Sequence, residues 1–358
     1  MDSTEQLLQT LTNANGVPGY EDEIRRIMKR ELKPLVDSIE FDRMGSIVGT
    51  RRGSAESPRV MVIGHMDEIG FMVKEITKEG YIKFLPLGGW WGHVALGQRM
   101  RIITSKGPVV GVVGSTPPHL LPPEERKKVL EISDMFIDVG VQEKFNVTRS
   151  LGIKVGDPIV PDSEFTVLGN KKMYMAKGFD NRMACAVVVD VLKKLQRVKH
   201  PNTVLGAASV QEEVGLRGAQ TIANLAKPDV CIVCDTGIAQ DIPPDGFKKA
   251  EKCGAGPAIL IYDGSMIPNL RLRDLVIRTA EQKKIPHHLT YMERGGTDGG
   301  RIHVSRIGVP SIVIGPAVRY IHSHNSILNR SDYDNTVRLI AEVIKKLDRR
   351  TVASLVEG

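Results

Sequence analysis

Two adjacent carboxylates, Glu212 and Glu213, interrupt the segment Thr203-Val-Leu-Gly-Ala-Ala-Ser-Val-Gln-Glu-Glu-Val-Gly-Leu-Arg-Gly218. Its first half is small and apolar, as in a buried strand. A turn with Gly215 and Gly218 follows, and then a helical pattern through Ala226. Ligands in open α/β sheets collect at the carboxyl ends of strands. Two close carboxylates resist joint ionisation unless a cation neutralises them. A metal would do so, taking one glutamate as ligand and leaving its neighbour free as a base. For an isolated Glu-Glu a solvated turn is the competing reading. Four other segments, however, end in ligand-type residues. His65 and Asp67 stand in Gly64-His-Met-Asp-Glu-Ile-Gly70. Residues two apart on an extended segment share a face, so His65 could ligate while Asp67 steadies its imidazole. Asp180 stands just ahead of a helix that begins near Arg182, where a carboxylate could bridge two ions. Asp235 follows the run Val230-Cys-Ile-Val-Cys234, and His322 lies in Val318-Arg-Tyr-Ile-His-Ser-His324. This mixed nitrogen and oxygen set, without thiolate, suits zinc, cobalt or manganese. With one bridging carboxylate it would hold two ions ~3.5–4 Å apart, which can clamp a water and a carbonyl oxygen.

The elements that must position these residues alternate. Residues 3–14 and 19–33 read as amphipathic helices, followed by strands at 36–42 and 46–51 and a buried strand at 59–65. From about residue 69 short alternating segments separated by glycine and proline predict a compact all-β insert. Helix 182–194, strand 203–210, helix 218–226 and strands 229–234 and 258–262 come next. Helix 268–283, strand 287–292, helix 297–306, strand 310–315 and helix 332–349 complete the rhythm. The fold class is therefore α/β: a doubly wound mixed sheet with helices on both faces, residues 1–68 and 166–358, interrupted by a small β-barrel-like insert, 69–165. Within the insert, the Pro-rich stretch 115–128 reads as a long loop with a solvated His119, and Trp90-Trp91 as core or interface.

Composition narrows the function. The chain has 358 residues, a net charge of +7 and only 5% aromatic residues. Its basic residues are interleaved with acids, and no nucleic-acid motif accompanies them, so a solvated basic surface is expected rather than a nucleic-acid partner. No run approaches the ~18 apolar residues of a membrane span, and the start lacks the pattern of a signal peptide. Cys231 and Cys234 match a C-x-x-C spacing, but residues three apart on a strand point to opposite faces. They are expected to be buried core residues, in a cytoplasmic protein. Gly295-Gly-Thr-Asp-Gly-Gly300 lacks the Lys-Ser/Thr of a P-loop and reads as a loop approaching the site.

The segments Gly64-His-Met-Asp-Glu-Ile-Gly-Phe-Met-Val73, Phe179-Asp-Asn-Arg182, Val210-Gln-Glu-Glu-Val-Gly-Leu-Arg-Gly218, Cys234-Asp-Thr236, Gly295-Gly-Thr-Asp-Gly299 and Arg319-Tyr-Ile-His-Ser323 together resemble those of the tetrahedral dinuclear metallo-aminopeptidases. That family includes glutamyl, deblocking and leucyl types and proteins labelled endoglucanase M. The resemblance implies two divalent ions per subunit, zinc first, with cobalt or manganese as alternatives. It implies that His65, Asp180 and Glu213 hold one ion, with Asp180 bridging, and that Asp235 and His322 complete the other. Glu213 and Asp235 remain interchangeable between the two ions. Glu212 would be the general base and acid, and Asp67 the partner that orients His65. The activity implied is removal of N-terminal residues from short peptides by a water activated between the ions. A strained peptide is implied at Asp180-Asn181. The insert would form dimers that build a hollow tetrahedral dodecamer, with loop 115–128 facing its interior. His324 departs from the family's usual Ser-Pro and is expected to be structural, and Phe179 is expected to reshape packing beside the site. A deacetylase or dipeptidase on the same metals remains open. A glycosidase would need two carboxylates flanking a sugar bond, one of them kept protonated, and a scaffold protein would need no base.

Overall fold

In a computed structural model that describes residues 1–143, 145–244 and 246–357, four parallel strands form the centre of the molecule. They lie side by side in the order Thr203–Ser209, Arg59–His65, Val230–Val233, Ser311–Arg319. Their sequences are continuous apolar runs, as expected of strands covered on both faces. Antiparallel strands Ile47–Arg51 and Ser38–Phe41 extend one side, and Ser326–Asn329, Met173–Ala176 and Thr166–Val167 the other. Pro257–Tyr262, His288–Tyr291 and Gly237–Ile238 build out from strand Ser311–Arg319. The sheet is thus mixed, with a parallel heart.

Strand alternation divides the core in two. Val60, Val62, Val204 and Ile232 face helices Ser3–Asn13, Asp22–Leu32, Phe179–Leu195, Leu270–Gln282 and Arg330–Ile344. Met61, Ile63, Leu205 and Val233 face helix Arg217–Ala226 and the single turn Gly299–Ile302. The expected helices on both faces are present. Cys231 and Cys234 fall in the two opposite clusters, buried and free. Helix Phe179–Leu195 lies hard against the central strand: a Cβ on Gly64 would come within 2.5 Å of the Ala184 Cβ. That close approach brings the helix's first turn to the strand's end.

The insert is a closed antiparallel barrel. Its strands follow the order Gly70–Ile76, Ile82–Leu87, Phe136–Asp138, Gly107–Gly114, Arg99–Thr104, Pro158–Pro161. Its core is separate, built around Phe71, Phe84, Met100 and Ile137, and Trp90 stacks on Phe71 at 4.6 Å. Trp91 is exposed. The Pro-rich loop, with its exposed His119, carries only the short 3₁₀ turns Pro118–Leu120 and Glu125–Lys127.

Three expectations need correction. The helix read at 297–306 is confined to Gly299–Ile302, and Arg306 (φ 56°) and Gly308 (φ 98°) turn the chain into left-handed conformations soon after it. The helix read at 332–349 begins at Arg330 and ends at Ile344, and a separate helix, Arg349–Ser354, is capped by Asp348 accepting from the Thr351 N–H. Strand 310–315 runs on to Arg319, because Ser326–Asn329 returns to pair with Val318 and Arg319. Among the described residues no helix is long and apolar enough to cross a membrane.

Candidate active site

Because the central strands are parallel, their carboxyl ends share one edge of the sheet. The register pairs Ser209 with His65 and Val233 with Ile63. Glu212 and Glu213 follow the first strand, His65 ends the second, and Asp235 lies two residues beyond the third. His322 follows Arg319 at the end of the fourth, on a turn where Tyr320 and His322 take positive φ, 59° and 53°. Asp180 comes from the first turn of the helix packed on Gly64, where the Asp180-Asn181 peptide is cis. All of the residues expected to form the site line one cavity of about 570 Å³, except Asp67, which is fully buried behind it.

Asp180 sits between the two histidines. Its Oδ1 lies 3.4 Å from His65 Nε2 and its Oδ2 lies 3.4 Å from His322 Nε2. His322 Nε2 is also 3.5 Å from Glu213 Oε2, and His65 Nε2 is 3.8 Å from Glu212 Oε2. Backbone carbonyls hold both rings from behind. His65 Nδ1 donates to the Asp67 carbonyl at 3.0 Å, with the Asp67 carboxylate 3.5 Å away. His322 Nδ1 donates to the Gly89 carbonyl at 2.9 Å, a contact supplied by the barrel insert. A carbonyl only accepts, so each Nδ1 carries a proton and each Nε2 faces the carboxylates.

Asp67 does more than face His65. Its two carboxylate oxygens accept the backbone N–H groups of Glu212 (3.1 Å) and Glu213 (3.0 Å), so it fixes the peptide that carries both glutamates.

The electrostatics are those of a crowded acid cluster. Burial pushes Glu213 up to about 8, and the Asp180 charge adds to the effect. Burial also pushes Asp235 up to about 8, against the pull of His65. Glu212 is driven well above the carboxylate range by burial, with Asp235, Asp298 and Glu213 reinforcing it. Burial would raise Asp180 too, but the hydrogen bonds from His322 and His65 win and hold it below its usual value. Burial opposes charge on His322, yet Asp180 and Glu213 lift it to about 10. The Glu213 Oε1 is buried with no hydrogen-bond partner among the described residues. Donor atoms of His65, Asp180 and Glu213 lie within 4.8 Å of one another, as do those of His65, Glu212 and Asp235. Buried acids in this density call for a cation, and the orphaned oxygen and the paired Nε2 atoms fit a divalent metal.

The sequence matches the M42 glutamyl aminopeptidase family over residues 45–339, and a second model, AMPT, matches residues 2–28. The chain is a member of the M42 aminopeptidase family. As an M42 chain it is 35% identical over 351 residues to the glutamyl aminopeptidase of Lactococcus lactis subsp. cremoris, covering 97% of this chain and 98% of that one. The TET aminopeptidase of a marine sediment thaumarchaeote superposes with a TM-score of 0.96 at 46% identity, over 99% of this chain and 100% of the other. The TET1 peptidase of Pyrococcus horikoshii, described as assembling into a tetrahedron or a large octahedral shell, superposes at 0.84 with 31% identity, over 96% and 100% of the two chains. The M42 fold thus accounts for the large mixed sheet and the barrel together.

Other residues brace the M42 site, and Asp298, Glu21 and Glu68 among them have no role legible in the sequence. Asp298 is buried and pushed up to about 6 by burial; one oxygen is hydrogen-bonded to Ser209 Oγ and the other has no partner among the described residues. The sequence brings its segment, Gly295–Gly300, toward the site as a loop and as part of the family resemblance, but gives Asp298 no role. Glu21 accepts from Gly19 N–H at 2.9 Å and Gln211 N–H at 3.0 Å, tying the amino-terminal segment to the turn before Glu212. Glu68 forms a buried ion cluster with Lys177 at 2.6 Å and Arg182 at 3.3 Å, under the loop that holds Asp180. His324 faces the barrel, its Nε2 donating to the Asp162 carbonyl at 3.3 Å. Phe179 is fully buried against Phe165.

Proposed function

We propose that this M42 enzyme is a dinuclear-metal aminopeptidase that removes N-terminal residues from short peptides, with Glu212 as the proton carrier. The observation that carries the reading is Asp180, whose two oxygens each stand 3.4 Å from the Nε2 of a different histidine. In this reading His65 and Asp235 would hold one ion, His322 and Glu213, 3.5 Å apart, would hold the other, and Asp180 would serve both. The ions, zinc, cobalt or manganese, would polarise the scissile carbonyl and make a bound water acidic near neutrality.

The protein's own groups do the rest. Glu212, ligand to neither ion in this scheme, takes the proton of the attacking water and returns it to the leaving amine. Asp67 holds Glu212 and Glu213 in register by their backbone N–H groups. The Asp67 and Gly89 carbonyls fix the proton on each Nδ1, which keeps each Nε2 available as a ligand. A free substrate amine is favoured among these carboxylates, and a neutral acetylated terminus is not, which makes the enzyme an exopeptidase.

Assembly belongs to the same proposal. The barrel would join two copies, and dimers would close into a tetrahedral dodecamer; a tetrahedron is one of the two shells described for the P. horikoshii peptidase. The free cysteines suit a reducing cytoplasm.

The test uses free and N-acetylated aminoacyl p-nitroanilides on metal-stripped protein with zinc, cobalt or manganese restored. Metal-dependent release from free termini alone supports the proposal. Equal release from acetylated substrates, or none from any peptide with metal bound, removes it.

A further inference from the structure

Beside the metal-site cavity lies a smaller one of about 90 Å³, which shares Thr236, Ile238, Met292 and Thr297 with it. Its walls include Ile238, Leu260 and Met292, and Glu251, Gln240 and Thr290 are among its polar lining. Glu251 is only 7% exposed. Its Oε1 accepts from the Ile238 N–H at 2.8 Å, and its Oε2 accepts from Thr290 Oγ at 2.6 Å and Gln240 Nε2 at 3.4 Å. An ionised carboxylate offers about four acceptor positions, so these three donors leave one open. All three donors are neutral. Among the described residues, no Lys, Arg or His forms an ion pair with Glu251. Buried carboxylates are ordinarily matched by a cation, and the missing one has a cavity beside it.

Resting on the aminopeptidase reading above, we propose that this side cavity receives the side chain of the substrate's N-terminal residue and selects a lysine-type cation, with Glu251 as its partner. The apolar walls would take the methylene stem and the carboxylate the charged tip, the division of labour that long cationic side chains use at protein surfaces. Burial raises the Glu251 carboxyl above its ordinary value, which a cation beside it would reverse. The competing charge in the larger pocket is Arg294, but it is exposed at that pocket's wall. An exposed guanidinium attracts an acidic side chain only weakly.

The experiment uses metal-replete enzyme with lysyl, norleucyl and glutamyl p-nitroanilides, and calorimetric binding of free L-lysine and L-norleucine. Norleucine keeps the stem and removes the charge. Wild type is expected to prefer lysyl over norleucyl by at least tenfold in kcat/KM, with glutamyl last. Glu251→Gln keeps most of the hydrogen bonds and should shrink the lysyl-to-norleucyl ratio at least tenfold, mainly through KM. Glu251→Asp should retain part of the preference. Preference for norleucyl or glutamyl by the wild type overturns the proposal. So does an unchanged ratio in Glu251→Gln with a lowered melting temperature, which would make Glu251 a structural tie between strands. If no substrate is cleaved, the aminopeptidase reading falls and the binding data decide Glu251 by themselves. Lysine bound at least tenfold more tightly than norleucine, and lost in Glu251→Gln, keeps the site; equal binding removes it.

Discussion

Asp67→Asn is the substitution whose consequence follows most directly from the geometry. Asp67 is fully buried, and each of its oxygens accepts a different backbone N–H, from Glu212 at 3.1 Å and from Glu213 at 3.0 Å. Asparagine has the same shape but only one oxygen. Whichever way its amide is turned, an NH₂ faces one of the two backbone donors, and that donor is left unsatisfied. A buried donor without a partner costs about 1–3 kcal/mol, so the variant should lose about that much stability. The displaced peptide carries both glutamates, so turnover or metal affinity should fall roughly 10–100-fold, as it does when groups that orient ligands are removed. Urea unfolding of the metal-free protein isolates the stability effect. Steady-state kinetics and metal analysis of the reloaded enzyme give the functional one. Asp67→Ala, which leaves both donors unpaired, should be the worse of the two in unfolding. A wild-type midpoint and wild-type kinetics in Asp67→Asn would refute the role given to this carboxylate.

Glu68→Gln strands the buried Lys177 and Arg182 charges and should cost about 3–5 kcal/mol in denaturant unfolding. Burial depresses Lys177 to about 8, partly opposed by Glu68. Its folded pKa is then below the unfolded value, so the unfolded chain binds more protons between pH 8 and about 10.4. This residue's contribution to stability should therefore rise with pH across that window, which unfolding of wild type against Lys177→Met at pH 7.5 and 10 measures. Chelation should abolish activity and lower the melting temperature, because ligand at about a thousand times its Kd contributes about 4 kcal/mol. Differential scanning of stripped and reloaded protein reads that shift. Gly88→Ala should impair the site from the barrel side. Gly88 has a φ of 93°, and its added Cβ would lie 2.5 Å from Ile69 and 3.3 Å from Glu213 Oε2; kcat and metal affinity of the variant check this.

Much of this was legible in the sequence because the site is built at strand ends. Continuous apolar runs announce a parallel centre, and the polar residue after each run must then fall on one edge, which located His65, Glu212, Glu213 and Asp235. Asp180 was legible from its place ahead of a helix. The bracing of the site was not. Glu21 and Gly89 act through contacts between residues far apart in the chain, and nothing in their local patterns records those contacts. Asp67 was expected to orient His65 by its carboxylate, while the shorter contact to the ring is its backbone carbonyl. Side-chain pattern cannot foresee a main-chain acceptor. The overlong helix 297–306 failed for a related reason: its spacing was helical, but backbone turned left-handed at Arg306 and Gly308 closes the segment.

Glu212 is proposed to move protons while other residues hold the metals. The direct test measures bound metal and turnover together in Glu212→Gln, with Asp180→Ala as the reference for ligand loss. Glu212→Gln should keep two ions per chain and lose about 10²–10⁴-fold in kcat, whereas Asp180→Ala should lose metal. Metal loss in Glu212→Gln equal to that in Asp180→Ala would make Glu212 a ligand, and undiminished turnover with both ions bound would leave the proposed base without a role.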